Sequence, residues 1–401
     1  MSATADHLKV QMYDVGFGDC FLIRIPASPL EFRILIDCGS IAHSSLSMRD
    51  IVGNLIEDVK DADGTARIDV VVCTHRHADH VSGFDDARWK EVEVQEVWLP
   101  WTESPSDPEA KRIREWQRKL AVELQAASRK LAVRDESLET LAVNALSNHV
   151  AMTTLHSGFK GDAVRRFLGS GATSIEALNS PALPGVKTYV LGPSRSEAVI
   201  RDMTPPAGKS YLNRIATNKS ASGAEFDPFG PEWAVEPALF EHYHLLVDDK
   251  EAKQLKVMAE IAETSVAVAL DKAVNGTSLM LVFEVGNAVL FFPGDAQWGT
   301  WNELLSDPEA RELVARATLL KIGHHGSHNA TPRDYVANVL QSTCCAMLST
   351  RPGRWKSIPR QPLLDALDQK KVPLARSDGT GEVGAPFVRL STSLLEASLP
   401  M

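Results

Sequence analysis

Apolar positions in the first hundred residues come in short runs broken by turn residues. Leu8–Gly16 (LKVQMYDVG), Asp19–Ile25 (DCFLIRI) and Phe32–Gly39 (FRILIDCG) each carry four or more apolar or β-branched residues and stop near Gly, Pro or Asp, which predicts strands. The period then changes. Met48, Ile51, Val52, Leu55, Ile56 and Val59 fall on one stripe, so Ser47–Val59 is predicted to be an amphipathic helix. Two more strands follow, Ala66–Thr74 (ARIDVVVCT) and Val92–Pro100 (VEVQEVWLP). The later part of the chain repeats this style. Thr277–Gly286 and Asn287–Gly294 read as a hairpin turning at Gly286 and Asn287, followed by a helix and the strands Ala317–Gly323 and Cys344–Thr350. Two such halves predict two sheets packed face to face with helices outside.

The stretch between them differs in character. Ser106-Asp107-Pro108-Glu109 has the chemistry of a helix start, with a capping oxygen, an early Pro and an acid near the positive end. The pentapeptide SDPEA recurs at Ser306–Ala310, read as shared capping chemistry and not a domain repeat. A helical pattern runs from Glu109 to Val133 and another from about Lys250 to Leu270, while Thr204–Trp233 is rich in Gly, Pro, Ser and Asp and reads as loop. Residues 101–185 and 194–271 are therefore expected to form a mainly helical insertion, interrupted by the strand-like run Val186–Pro193.

Composition narrows the class without naming a function. The 401 residues are 44% hydrophobic and 23% charged, enough to bury a full core and too apolar for a disordered chain. A formal net charge of -10 gives no global attraction to nucleic acid or acidic membranes, and leaves only local basic patches for such contacts. The N-terminus has no basic leader with a long apolar run behind it, and no stretch approaches 18 consecutive apolar residues. The five cysteines, with Cys344 and Cys345 adjacent, fit neither a zinc knuckle nor a disulfide framework. The expectation is a soluble cytoplasmic protein without membrane insertion.

Half of the 12 histidines fall in two short windows: His75, His77, His80 and His324, His325, His328. The first follows the apolar strand Val70–Thr74 directly. Alternate residues of an extended segment face the same way, so His75 and His77 can grip one metal ion, and Asp79 and His80 in the turn beyond can reach a second. Imidazoles with a carboxylate suit zinc, with manganese or iron as alternatives. A lone histidine here would read as structural. Four ligand-type side chains in six residues do not.

The pattern His75-x-His77-x-Asp79-His80 resembles the signature of the metallo-β-lactamase superfamily. That resemblance implies an α/β (α+β) four-layer αββα sandwich, spanning 1–100 and 272–401 with the strand near 186–193, and a metal site at the sheet edge. It further implies that Asp37 supports the site by hydrogen bonding, that Asp295 in Pro293-Gly294-Asp295-Ala296 bridges two ions, and that one histidine of Gly323-His324-His325-Gly326-Ser327 completes the second. His324 is the ligand expected there. Asp14-Val15-Gly16-Phe17-Gly18-Asp19-Cys20, Asn275-Gly276-Thr277-Ser278-Leu279, Lys321 to Ser327 and Arg376-Ser377-Asp378-Gly379-Thr380-Gly381 together resemble the hydrolase domain of ComEC-type competence proteins. The channel and small barrel of that group are not expected in these 401 residues. Nor is the third histidine that many superfamily members use for the first ion, since the corresponding strand ends Val190-Leu191-Gly192-Pro193; His149, His156, His242 and His244 are the candidates to replace it.

Taken together, the ligands predict two divalent ions about 3.5–4 Å apart with a hydroxide between them, oriented by Asp79, while His325 protonates a leaving oxygen or holds a phosphate. The expected reaction is metal-dependent hydrolysis by a phosphodiesterase or nuclease, with nucleic acid or nucleotide as substrate. Asn275, Ser278 and Ser327 are the expected substrate contacts, joined by Arg351, Arg354 and Lys356 in a basic stretch that includes Trp355, a platform for stacking. The basic residues of the Lys111–Arg134 helix read first as a solvated face. Two other readings stand beside this one: a hydrolase of a small ester, lactone, thioester or cyclic nucleotide with the insertion as lid, and a non-catalytic scaffold using the insertion for a protein partner or self-association.

Overall fold

The computed structural model describes residues 7–27, 31–128, 148–170, 177–202, 205–206, 208–211, 274–327, 330–351, 358–380 and 384–401. The expected helix near 250–270, most of the 204–233 loop, and Trp355, Arg354, Lys356, His328, His242 and His244 lie outside the described residues.

The strands, in chain order, are β1 His7–Tyr13, β2 Cys20–Pro26, β3 Glu31–Cys38, β4 Arg67–Val72, β5 Glu93–Pro100, β6 Val164–Leu168, β7 Ala177–Leu178, β8 Lys187–Gly192, β9 Met280–Val285, β10 Ala288–Phe292, β11 Leu319–Lys321, β12 Cys345–Leu348, β13 Leu374–Arg376, β14 Phe387–Ser391 and β15 Leu394–Pro400. They form an eight-stranded sheet in the order β14-β15-β1-β2-β3-β4-β5-β6 and a seven-stranded sheet in the order β13-β12-β11-β10-β9-β8-β7. The expected hairpin is present: β9 and β10 pair antiparallel with Val285 opposite Ala288, and Gly286 takes a positive φ of 58° at the turn.

Near-continuous apolar strands follow from burial on both faces. One set of alternate residues (Val10, Met12, Phe21, Ile23, Ile34, Ile36, Val72) meets Leu281, Phe283, Leu290, Phe292 and Met347 of the other sheet in a shared inner core. The opposite faces are covered by helices. Helix α1 (Met48–Asp58), capped by a reciprocal Ser47–Asp50 box, lays Ile51, Val52 and Leu55 over Leu22, Leu35 and Val71. The remaining helices are α2 Ala78–Val81, α3 Pro108–Ser128, α4 His149–Thr153, α5 Glu197–Arg201, α6 Trp298–Ser306, α7 Pro308–Ala315 and α8 Gln361–Gln369. Trp301, Leu304, Leu313, Val314, Leu363 and Leu367 of α6, α7 and α8 cover the outer face of the second sheet. The result is a four-layer αββα sandwich, the mixed α/β class expected from the sequence.

Both SDPEA segments cap helices by the same bonds. The Asp107 carboxylate accepts from the backbone N–H groups of Glu109 and Ala110, and Asp307 does so from Glu309 and Ala310. Within the 101–185 range assigned to a helical insertion, β6 pairs parallel with β5 and β7 pairs antiparallel with β8, so both strands belong to the sheets. Among the described residues no helix is long and apolar enough to cross a membrane. All five cysteines are buried and free.

The strands β3 and β4 run parallel in one sheet and β10, β11 and β12 run parallel in the other, so their C-terminal ends carry loops to one edge of the sandwich. Gly39, just past β3, lets α2 pack against this edge. A Cβ there would lie 2.5 Å from both Ala78 O and Val81 N, backbone atoms that cannot rotate aside. Gly39→Ala is therefore expected to lower stability by about 1–3 kcal/mol in urea denaturation and to displace α2, with its Asp79 and His80. A stability unchanged from wild type would contradict this packing.

Candidate metal centre

Asp37, at the end of β3, adopts a left-handed φ of 55°, a conformation costly for a non-glycine residue. Its carboxylate accepts the Thr74 backbone N–H at 2.7 Å and the Thr74 hydroxyl at 2.6 Å, and faces His80 Nδ1 at 2.8 Å. The His80 ring is thereby held with Nε2 toward Asp295 Oδ2, 3.2 Å away. From the other sheet, His325 Nδ1 meets the Ser349 carbonyl at 3.0 Å, which turns its Nε2 to Asp79 Oδ2 at 3.2 Å. Asp79, His80, Asp295 and His325 are all buried, and one donor atom from each falls within 4.8 Å of the others. Donors that share one zinc ion at roughly 2.0–2.2 Å stand about 3.3–3.6 Å apart in a tetrahedral arrangement. The set fits a divalent ion. Asp79 Oδ1, buried and without a hydrogen-bond partner, is the kind of orphan that an ion explains.

The two neighbouring histidines are placed differently from the expectation. His325, expected as the proton donor, sits in the donor group. His324, expected as the ligand, points elsewhere: its Nε2 is 3.5 Å from Asn275 Nδ2 and 3.9 Å from Asp295 Oδ2, and its side chain is 14% exposed. The reason is backbone conformation. His324 and His325 both take left-handed φ values, 46° and 51°, and the His324 N–H donates to Asp295 Oδ1 at 3.0 Å. The His325 ring thus reaches Asp79 while the His324 ring faces Asn275, a geometry no spacing rule reveals.

His75 and His77 stand together, with Nε2 and Nδ1 3.1 Å apart and His75 Nδ1 3.1 Å from the Thr74 hydroxyl. Among the described residues no third His, Cys, Asp or Glu forms a compact donor group with them. Of the candidate replacements, His149 lies beside Thr153 and His156 stacks on Phe167 at 5.9 Å; neither joins a donor group. Asn275, Ser278 and Ser327 are buried, and the Ser278 hydroxyl has no hydrogen-bond partner. Arg351 is half-buried just beyond β12. Two residues not singled out from the sequence belong here. The buried Lys321 ammonium pairs with Asp19 and lies 3.4 Å from Asp295 Oδ1. Lys321 ends an otherwise apolar strand, and that was the available signal.

Burial alone would raise the carboxyl groups of Asp79 and Asp295. The charge of His80 and, respectively, the His325 hydrogen bond and Lys321 outweigh it and hold both well below the usual carboxylate range. Burial pushes His80 down, but Asp295, Asp37 and Asp79 together raise it well above an ordinary imidazole. His75 is lowered by burial and by His80 and His77.

No protein-family model and no curated protein matches the chain. Among solved structures, the zinc-bound PqqB of Methylobacterium extorquens aligns over 94% of this chain and 100% of its own, at 11% identity and a TM-score of 0.38. A likeness at that level adds nothing to the site, whose reading rests on this chain's own residues.

Two predictions follow from this geometry. Because Asp295, Asp37 and Asp79 raise His80, an ion binding at its Nε2 competes with a proton there. Affinity for Zn²⁺ should therefore rise about tenfold per pH unit below the raised His80 value, with proton release visible by calorimetry in buffers of different ionisation heat. An affinity independent of pH would contradict it. Asp37→Asn should weaken metal binding about 10–100-fold, measured by equilibrium dialysis, because His80 loses the partner that orients it.

Proposed function

We propose that this chain is a metal-dependent hydrolase of phosphodiesters, of the nuclease class and related to the ComEC-type hydrolase domain. The observation that carries the reading is the four-donor group Asp79, His80, Asp295 and His325, with the two imidazoles fixed from behind by Asp37 and Ser349. These four residues would hold one divalent ion, zinc being the first choice and manganese the second, and the His75–His77 pair a second ion. The ions would polarise a phosphoryl oxygen and acidify water.

The chain's own residues supply the rest. His324, partly exposed and next to Asp295, is placed to hand a proton to a leaving oxygen, a role for which the buried His325 has no free ring nitrogen. The unpartnered Ser278 hydroxyl supports a contact to a phosphoryl oxygen. Arg351, at the end of β12, begins the basic stretch read as a backbone-binding rim. The α3 helix is a weaker candidate for that rim, since Arg112 is engaged by Glu197 and Arg114 by the Thr102 carbonyl.

The test is cleavage of labelled single- and double-stranded DNA, RNA and bis-(p-nitrophenyl) phosphate by metal-stripped protein resupplied with Zn²⁺, Mn²⁺ or Mg²⁺. Metal-dependent cleavage that vanishes in an Asp79→Ala, His80→Ala double variant is expected; a fully loaded protein that cuts no diester overturns the reading. His324→Gln should lower kcat about 10²–10⁴-fold with metal content unchanged, whereas His325→Gln should lose metal. The reverse pattern, read by plasma mass spectrometry, would restore His324 as the ligand.

A further inference from the structure

Lys321 is the last residue of β11, which is paired on both sides by β10 and β12, so its backbone is fixed. Its buried ammonium reaches across the seam between the sheets to Asp19, at the start of β2, and also faces Asp295 Oδ1 at 3.4 Å. Asp19 is itself tied to the centre through its backbone: its N–H donates to the Asp79 carbonyl at 2.9 Å, and its carbonyl accepts from Gly39 at 3.0 Å. Donor atoms of Asp19, Asp37 and His80 lie within 4.8 Å of one another, and Asp19 Oδ1 is buried without a hydrogen-bond partner. Anionic oxygens packed this closely need positive charge among them, and the Lys321 ammonium supplies it on the side away from His80, the imidazole that the same carboxylates raise. Asp295 is thus shared, with Oδ1 toward Lys321 and Oδ2 toward His80.

We propose that the Lys321 ammonium is a resident cation of the centre: it holds the donor carboxylates together before a divalent ion arrives and opposes that ion's charge once it is bound. The inference rests on the metal reading above and gives it a regulation, an ion held exchangeably in a frame that stands without it. Two like charges sharing one buried carboxylate repel strongly where water does not screen them, by enough to weaken binding about tenfold or more. A lysine that merely completes the packing would act in one direction only. Its loss would weaken both the metal-free fold and the metal affinity. A resident cation acts in opposite directions on the two.

The experiment uses the full chain, with Zn²⁺ affinity measured by chelator competition, metal content by plasma mass spectrometry and Tm by differential scanning calorimetry on the stripped protein. Lys321→Met is expected to lower the metal-free Tm and to tighten Zn²⁺ binding about tenfold or more. Asp19→Asn, which keeps the shape and removes the competing anion, leaves the ammonium to Asp295 alone and should weaken Zn²⁺ binding by a similar factor. Weaker or unchanged binding in Lys321→Met, or unchanged binding in Asp19→Asn, overturns the inference. If Lys321→Met does not fold, Lys321→Gln, which removes the charge and keeps a polar side chain, decides by the same two readouts. A wild-type chain that takes up no Zn²⁺ overturns the metal reading itself, whereas wild-type binding matched by both variants overturns only this role for Lys321.

Discussion

The hydrogen bonds of the Asp37 carboxylate fix more of this molecule than any other side-chain contact at the sheet edge. Parallel pairing of β3 with β4 brings Asp37 beside Thr74, and two bonds from Thr74 leave one carboxylate oxygen facing His80. That orientation decides which ring nitrogen of His80 faces the centre. It also decides where Asp295 must lie, because Asp295 approaches from the opposite sheet and meets Nε2. The four-donor group is therefore a property of the seam: Asp79 and His80 come from a connection of one sheet, Asp295 and His325 from connections of the other.

Such a seam is expensive. Asp37, His324 and His325 each hold a left-handed backbone at a cost of about 1–3 kcal/mol, while a whole domain is stable by only about 5–15 kcal/mol. Strain of that size persists only where the surroundings leave no alternative. Here the inner core of both sheets and the helical layers on their outer faces supply that constraint, and the strained residues cluster where the loops leave the strands. Conformational strain at one edge, offset by apolar burial elsewhere, is the pattern of a functional site.

The sequence reveals the elements of this arrangement better than their mutual placement. The strands within residues 8–100 and 277–350 are visible because they are doubly buried and so nearly continuous in apolar residues. The His75–His80 cluster is visible because its ligand types are local. Strand β6, with the sequence VRRFL and no fully buried residue, carries too little apolar signal to stand out from the helical pattern expected around it. The pairing of Asp19 with Lys321 is not legible, since an ion pair between strands of different sheets leaves no trace in spacing. The placement of His324 and His325 is hidden for a related reason. Adjacent residues in an extended chain point to opposite sides, but two consecutive left-handed residues do not obey that rule, and nothing in GHHGS announces the conformation.

The placement of the two histidines suits them to different chemistry. A ligand histidine needs one ring nitrogen for the ion and the other tied to an acceptor, so that its tautomer and direction are settled before the ion arrives. His325 meets both conditions, with Ser349 behind it and Asp79 in front, and it is wholly buried. A proton donor needs a nitrogen that solvent can recharge after each turnover. His324 has that access, and its backbone is pinned to the same Asp295 that the donor group shares. One carboxylate thus sets the position of a residue suited to holding an ion and of a neighbour suited to moving a proton, and an adjacent pair of histidines is the shortest stretch of chain that can supply both.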